Sequence, residues 1–185
     1  SQESGHVQIE QCFSIIDYGY EFMGVDNIGV DNPESERVWF QINESIRNHN
    51  IPLLSGVSGS GKSQTIGNLT TKLGKFCYNM NMNENVNMAV MTQFLRGVCE
   101  SNVWGNMENI NLLTGSIMSI ISSHFQTIRT AQTIHLREFT LDNQVTRMYP
   151  EVAFLCTENI VHNNSNIKQI PLSLMTLLRK SSVQL

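Results

Sequence analysis

Eight consecutive residues, Gly56-Val57-Ser58-Gly59-Ser60-Gly61-Lys62-Ser63, carry the clearest chemistry in this chain. They match G-x-x-x-x-G-K-[ST], the P-loop pattern, whose glycines leave room for backbone N–H groups to converge on phosphate oxygens. A helix opening at Ser63 aims the positive end of its dipole at the same point. In that arrangement Lys62 reaches the β- and γ-phosphates, and the Ser63 hydroxyl is a magnesium ligand. The chemistry so specified is the binding of a nucleotide through its phosphates, with Mg2+.

Cleavage of that nucleotide requires more than the loop. A second strand should supply an acid for the metal, with a neighbouring carboxylate to activate the attacking water. A strand over 103–107 leads into Glu108-Asn109, and no Asp-Glu pair occurs anywhere in the chain. Glu108 can accept from a magnesium-bound water, although it is one methylene longer than Asp. Asn109 stands at the base position, and an amide has no lone pair basic enough to take the proton. Binding is expected and turnover is not.

The elements that must hold these groups can be read from periodicity. A strand over 51–54 delivers the loop, and a helix over 63–75 receives it, with Ile66, Leu69 and Leu73 along one side. Upstream, Pro33-Glu34-Ser35-Glu36 opens a helix with acids in its first turn. Val38, Trp39, Ile42 and Ile46 give that helix one buried stripe as far as Asn48-His49-Asn50. Further strands are predicted at 76–82, 103–107, 134–141, 152–156 and 182–185, with helices at 86–99, 113–129 and 171–178. His124 lies on the apolar face of the 113–129 helix and reads as a packed core histidine. Alternating strands and helices predict an α/β fold, a three-layer sandwich whose mainly parallel sheet is flanked by helices. Residues 1–32 show no such periodicity. They read as a lead-in with turn signals at Asp26-Asn27 and Asp31-Asn32-Pro33, which leaves 33–185 as the domain proper.

Composition narrows the partners. Twelve Lys+Arg against sixteen Asp+Glu give a net charge of -4, and no basic stripe suited to a nucleic-acid backbone is present. No run of 18 or more apolar residues offers a membrane span, and no signal peptide is evident. Cys12, Cys77, Cys99 and Cys156 are far apart, without a CxxC pair or a histidine cluster, so a zinc site or disulfide framework is not expected. They read as reduced, mostly buried thiols of an intracellular protein. The chain begins with Ser1 and not Met, and is expected to be a piece of something longer. Nothing resembling the guanine-reading NKxD motif occurs, Thr71-Lys72-Leu73-Gly74 being the nearest, and no acid stands poised for an acceptor hydroxyl. A GTPase or small-molecule kinase is therefore the weaker reading of the same loop.

The order of these features resembles the first AAA module of dynein heavy chains, in the AAA+ superfamily. Tyr18-Gly19-Tyr20-Glu21-Phe22-Met23-Gly24 is similar to the family's YGYEYLG segment, where the linker meets the ring. Gly56 to Thr65 is similar to its GPAGTGKTET, a match that includes Gln64. Asn81-Met82-Asn83 and Asn87-Met88 sit where the family has NCS and DY, and Phe94 to Val98 resembles FFKGL. Val103 to Asn111 corresponds to AWACFDEFN, which puts the family's Asp-Glu on Glu108 and Asn109. Ile170-Pro171 and Leu177-Leu178-Arg179 resemble parts of LPDNLKALFRPV, with Lys180 in place of the proline.

The resemblance implies an AAA+ large subdomain over 33–185, without its helical lid, that binds ATP or ADP with Mg2+. Gly56, Ser58, Gly59, Ser60, Gly61, Lys62, Ser63 and Gln64 would hold the nucleotide, and Ser63 and Glu108 the metal. It implies a γ-phosphate sensor at Asn159, given a one-residue shift against the family's MNPGYAGR stretch. It implies an arginine finger at Arg179 that reaches the neighbouring module. The implied partners are neighbouring AAA modules of the same heavy chain, with microtubules and dynein subunits through the parent protein, and no nucleic acid or membrane. The implied setting is the cytoplasm, the cytoskeleton or a cilium axoneme. The altered acid pair and the absent GYAGR residues suggest a divergent copy with weak or lost hydrolysis. The alternative is a structural ring module with little or no nucleotide binding.

Overall fold

The computed structural model describes residues 7–11, 14–24, 32–160 and 169–183. Five parallel strands form the central sheet: β3 (Ile51–Gly56), β4 (Cys77–Asn81), β5 (Trp104–Glu108), β8 (Ala153–Asn159) and β9 (Leu178–Ser182). Their order is β4-β5-β8-β3-β9. Consecutive residues of the inner strands are buried against opposite layers, as a parallel sheet covered on both faces requires. Leu53, Met107, Phe154 and Cys156 enter one cluster, beneath α3 (Met88–Ser101) and α4 (Gly115–Thr133). Leu54, Trp104, Ala153 and Leu155 enter the other, beneath α1 (Pro33–Arg47) and α2 (Lys62–Leu73). The α/β three-layer sandwich is present, and its main sheet is parallel throughout.

The helices begin where short polar side chains can take over orphan N–H groups. The Asn32 side chain accepts from Ser35 N at 2.6 Å, and the Ser35 hydroxyl faces back to Asn32 N, closing a capping box around Pro33. Asn87 caps α3 in the same way, accepting from Val90 N at 2.9 Å. His124 on α4 is half-buried and within 3.4 Å of Thr92 Oγ1, a packed histidine between two helices.

Three segments differ from the sequence expectation. The helix expected to end at 129 runs on to Thr133, so the strand expected over 134–141 is shortened to β6 (Glu138–Leu141). That strand leaves the main sheet and pairs antiparallel with β7 (Gln144–Arg147). Asp142 and Asn143, at φ 48° and 59°, make the two-residue turn between them, the type that twists with a hairpin. Near the C-terminus, the helix expected over 171–178 is the single turn α5 (Leu172–Met175). Leu178 onward pairs with β3, register Ile51↔Leu178 through Ser55↔Ser182, in place of a strand at 182–185. A short apolar run suits either state, and the open edge of β3 decides between them. Gln184 and Leu185 lie outside the described residues.

The lead-in is not without regular structure. β1 (Gln8–Gln11) and β2 (Ser14–Asp17) form a hairpin, and Ile9 and Ile16 pack on the α1–α2 cluster. Cys12 and the turn signals at 26–27 and 31 fall outside the described residues. Beyond the hairpin, the chain closes the C-terminal end of α2: Gly19 N donates to Leu73 O and Glu21 N to Gly74 O, both at 2.9 Å. Gly74 is the left-handed residue that ends α2, at φ +60°, and a Cβ there would meet the Tyr18 ring at 2.6 Å. Gly74→Ala is therefore expected to cost about 1–2 kcal/mol from the backbone conformation alone. A fall in the urea midpoint at unchanged slope would show it, and an unshifted midpoint would mean that Tyr18 and the end of α2 re-form freely.

Candidate functional site

In an open parallel sheet, ligands bind beyond the carboxyl ends of the strands, where consecutive strands diverge. Here β3 leads into α2, which returns to β4 at the far edge of the sheet, with β8 and β5 in between. The divergence falls at Gly56. Gly59 and Gly61 lie at φ +83° and +73°, conformations that let the loop curl back over β3. Gly56 is hemmed in, since a Cβ there would meet Ser60 Oγ and Val183 O at 2.7 Å. Gly61 is also the N-cap of α2 and offers no side-chain cap, so the first-turn amides of α2 have no side-chain acceptor at that cap.

Lys62 lies at the centre of the loop and is buried, 7% exposed. Its ammonium donates to Val57 O at 2.6 Å, Gly56 O at 3.1 Å and Ser60 Oγ at 3.3 Å. Burial holds it below the ordinary lysine value. It is thus a cation collected inside the loop, and a phosphate can replace the carbonyls that hold it. Ser63 Oγ donates to Glu108 Oε1 at 2.5 Å, across from α2 to the end of β5. A hydroxyl and a carboxylate side by side are hard oxygen donors of the kind that suits Mg2+.

Three asparagines from three strand ends continue the arrangement. Asn109 has a left-handed backbone, at φ +59°, and its N–H donates to Thr157 Oγ1 at 3.2 Å. Its side-chain Nδ2 donates to Asn81 Oδ1 at 2.9 Å, and its Oδ1 accepts from Asn159 Nδ2 at 2.5 Å. The Asn159 carbonyl is held in turn by Asn111 Nδ2 at 3.0 Å. Because β8 lies between β3 and β5, Asn159 at its end stands between the P-loop and the Glu108-Asn109 pair.

The structure brings most of the sequence-predicted residues together. Ser58, Gly59, Ser60, Gly61, Lys62, Ser63, Gln64, Glu108, Asn109 and Asn159 line one cleft of about 320 Å³, and Gly56 forms its root. Arg179 is not among them. It is an exposed residue of edge strand β9, opposite Pro52 at the start of β3 and so away from the cleft. Asn81, Thr157 and Asn111 were not singled out from sequence as members of the site. Thr157, a buried polar residue at the end of an apolar strand run, was the available signal. A larger groove of about 640 Å³ beside β4 and α3 is lined by groups such as Phe76, Tyr78 and Phe94, and among the described residues no charged side chain lines it to meet a phosphate.

The parallel sheet, the curled glycine loop and the uncapped helix with its lysine define a P-loop nucleotide-binding domain of the AAA+ type. A family model described as the hydrolytic ATP binding site of the dynein motor region matches residues 18–185, and the chain belongs to that family. Similar proteins include human dynein axonemal heavy chain 10, 27% identical over 158 residues, which is 85% of this chain and 4% of that one. The dynein beta chain of the Chlamydomonas reinhardtii flagellar outer arm is 23% identical over 183 residues, 99% of this chain and 4% of its own. A cytoplasmic dynein heavy chain of Dictyostelium discoideum is 27% identical over 124 residues, 67% of this chain and 3% of its own. The chain therefore spans only a few per cent of the length of these relatives. Among the described residues, no helix is long and apolar enough to cross a membrane.

Proposed function

We propose that this chain is a divergent first AAA module of a dynein-like heavy chain that holds Mg-ATP or Mg-ADP and hydrolyses it weakly or not at all. Residues 33–185 are its large subdomain and 1–32 the lead-in from the linker side. Lys62, the loop amides, Ser58, Ser60 and Gln64 grip the phosphates. Ser63 and Glu108 hold the metal, which would screen phosphate charge. Asn159 contacts the γ-phosphate. Arg179, facing away from its own cleft, serves the neighbouring module. Neighbouring AAA modules, microtubules and dynein subunits are partners through the parent chain, in the cytoplasm, the cytoskeleton or an axoneme.

The observation that carries the reading of weak turnover is the state of Asn109. It occupies the base position, has no basic atom, and both ends of its amide are engaged, by Asn81 and Asn159. General-base assistance is typically worth about 10²–10⁴-fold in rate, and that contribution is missing here. Phosphate release from Mg-ATP by this chain is expected at background level, with Asn109→Glu raising it by at least about tenfold. The left-handed backbone at 109 costs the glutamate about 1–2 kcal/mol, so the gain is read at saturating nucleotide. Brisk release by the unaltered chain, abolished by Lys62→Ala, would overturn the reading.

A further inference from the structure

We infer that Asn109 makes this cleft selective for a nucleoside triphosphate over the diphosphate, and that selectivity comes from its neutrality. The inference rests on the proposed nucleotide site and concerns which nucleotide that site retains. Among the described residues lining the cleft, Glu108 is the one carboxylate and Lys62 the one cation. Beyond residues 58–64 and Glu108, the lining is a wall of Asn109, Asn159 and Thr157, all neutral. Reversing any of the amides in the Asn81–Asn109–Asn159 chain leaves that wall uncharged.

A triphosphate carries one phosphate more than a diphosphate, with its added negative charge at the end farthest from the base. Where a second carboxylate faces that charge, repulsion offsets part of the grip of the loop. At an effective dielectric near 20, two unit charges within about 10 Å of each other repel strongly enough to weaken binding by more than about tenfold. With Asn109 in that place the repulsion is absent and hydrogen-bonding groups remain. The diphosphate lacks the terminal group and so gains little from the change. A wall of this kind, joined to a missing base, retains ATP rather than passing it on to ADP.

The geometry also supplies a clean substitution. Asn109 is in the left-handed region at φ +59°, which Asp and Gly accept as readily as Asn. Asp is isosteric with Asn and can accept from Asn159 Nδ2 as Asn109 Oδ1 does. A reversal of the Asn81 amide would give the second carboxylate oxygen a donor. Gly removes the side chain without adding charge.

The test is calorimetric titration of the whole chain with Mg-ADP and with the magnesium complex of a β,γ-imido ATP analogue, which is not cleaved. The unaltered chain is expected to bind the triphosphate analogue at least about tenfold more tightly than ADP. Asn109→Asp should lower that ratio about tenfold or more, through the triphosphate, while Asn109→Gly keeps it. A ratio near one in the unaltered chain overturns the inference and leaves the nucleotide site standing. So does a ratio that Asn109→Asp leaves unmoved, or one that Asn109→Gly lowers equally. If neither nucleotide binds a chain shown to be folded by circular dichroism, the site reading and this inference fall together.

Discussion

Lys62→Ala is expected to lose the whole rise in melting temperature that Mg-ATP gives the unaltered chain. A ligand at about 100 times its dissociation constant adds roughly 2.7 kcal/mol to stability. For a domain of this size that is a rise of about 5–10 °C. The effect should be large because Lys62 is the one cation lining the cleft among the described residues, and it already sits inside the loop. Alanine takes away the charge and leaves the carbonyls of Gly56 and Val57 pointing into the space a phosphate must enter. The measurement compares melting curves of the two chains with Mg-ATP, Mg-ADP and buffer. Each chain is referred to its own nucleotide-free curve, because the lysine's contacts to the loop also stabilise the free form. A rise that survives in full in the variant would place the phosphates elsewhere. A rise absent from both chains would favour a structural ring module with an unused loop.

Much of this site could be read in the sequence because its parts are local. The P-loop, its strand and its helix form one continuous segment, and glycine spacing states the backbone conformation directly. Glu108 and Asn109 could be placed for a similar reason, at the end of a Trp-led apolar run. The partners of Asn109 could not. Asn81 and Asn159 lie 28 and 50 residues away, and only the strand order β4-β5-β8-β3 carries all three to one edge. Periodicity gives strands without giving their order. The Asn/Met alternation through Asn79 and Asn81 falls in the strand expected over 76–82, but the alternation does not say what its polar side chains meet. It is a strand whose polar residues reach across to β5, Asn79 Oδ1 accepting from Asn106 Nδ2 at 2.9 Å and Asn81 from Asn109. The β6–β7 hairpin and the placement of β9 were missed for a further reason. Both turn on competition between local preference and an open pairing edge, and a run such as Leu172 to Leu178 carries no sign of which will win. Arg179, expected between the 171–178 helix and a terminal strand at 182–185, is a strand residue for the same reason.

The second large effect is structural and lies behind the site. Trp104→Ala is expected to cost about 3–5 kcal/mol, the usual range for emptying a buried aromatic position. Against a total stability of about 5–15 kcal/mol this leaves a marginal domain. Trp104 opens the same strand that ends, four residues later, in Glu108, and it is 2% exposed. It packs in the layer with Trp39, Ile42 and Leu73, with β4 on one side and β8 on the other. The site is poorly placed to collapse over the loss. Trp104 already borders a hollow of about 200 Å³ shared with Ile15, Ile16 and Ile46, so truncation enlarges an existing gap between the hairpin and the body. Denaturant titration would read the change, and the midpoint of thermal unfolding should fall by about 6–20 °C. Trp104→Phe keeps most of the buried area and should lose clearly less than alanine does. A loss below about 1 kcal/mol for the alanine would mean that the β1–β2 hairpin and α1 close over the gap. The tryptophan of the family's second-strand motif would then not be what anchors the strand bearing Glu108.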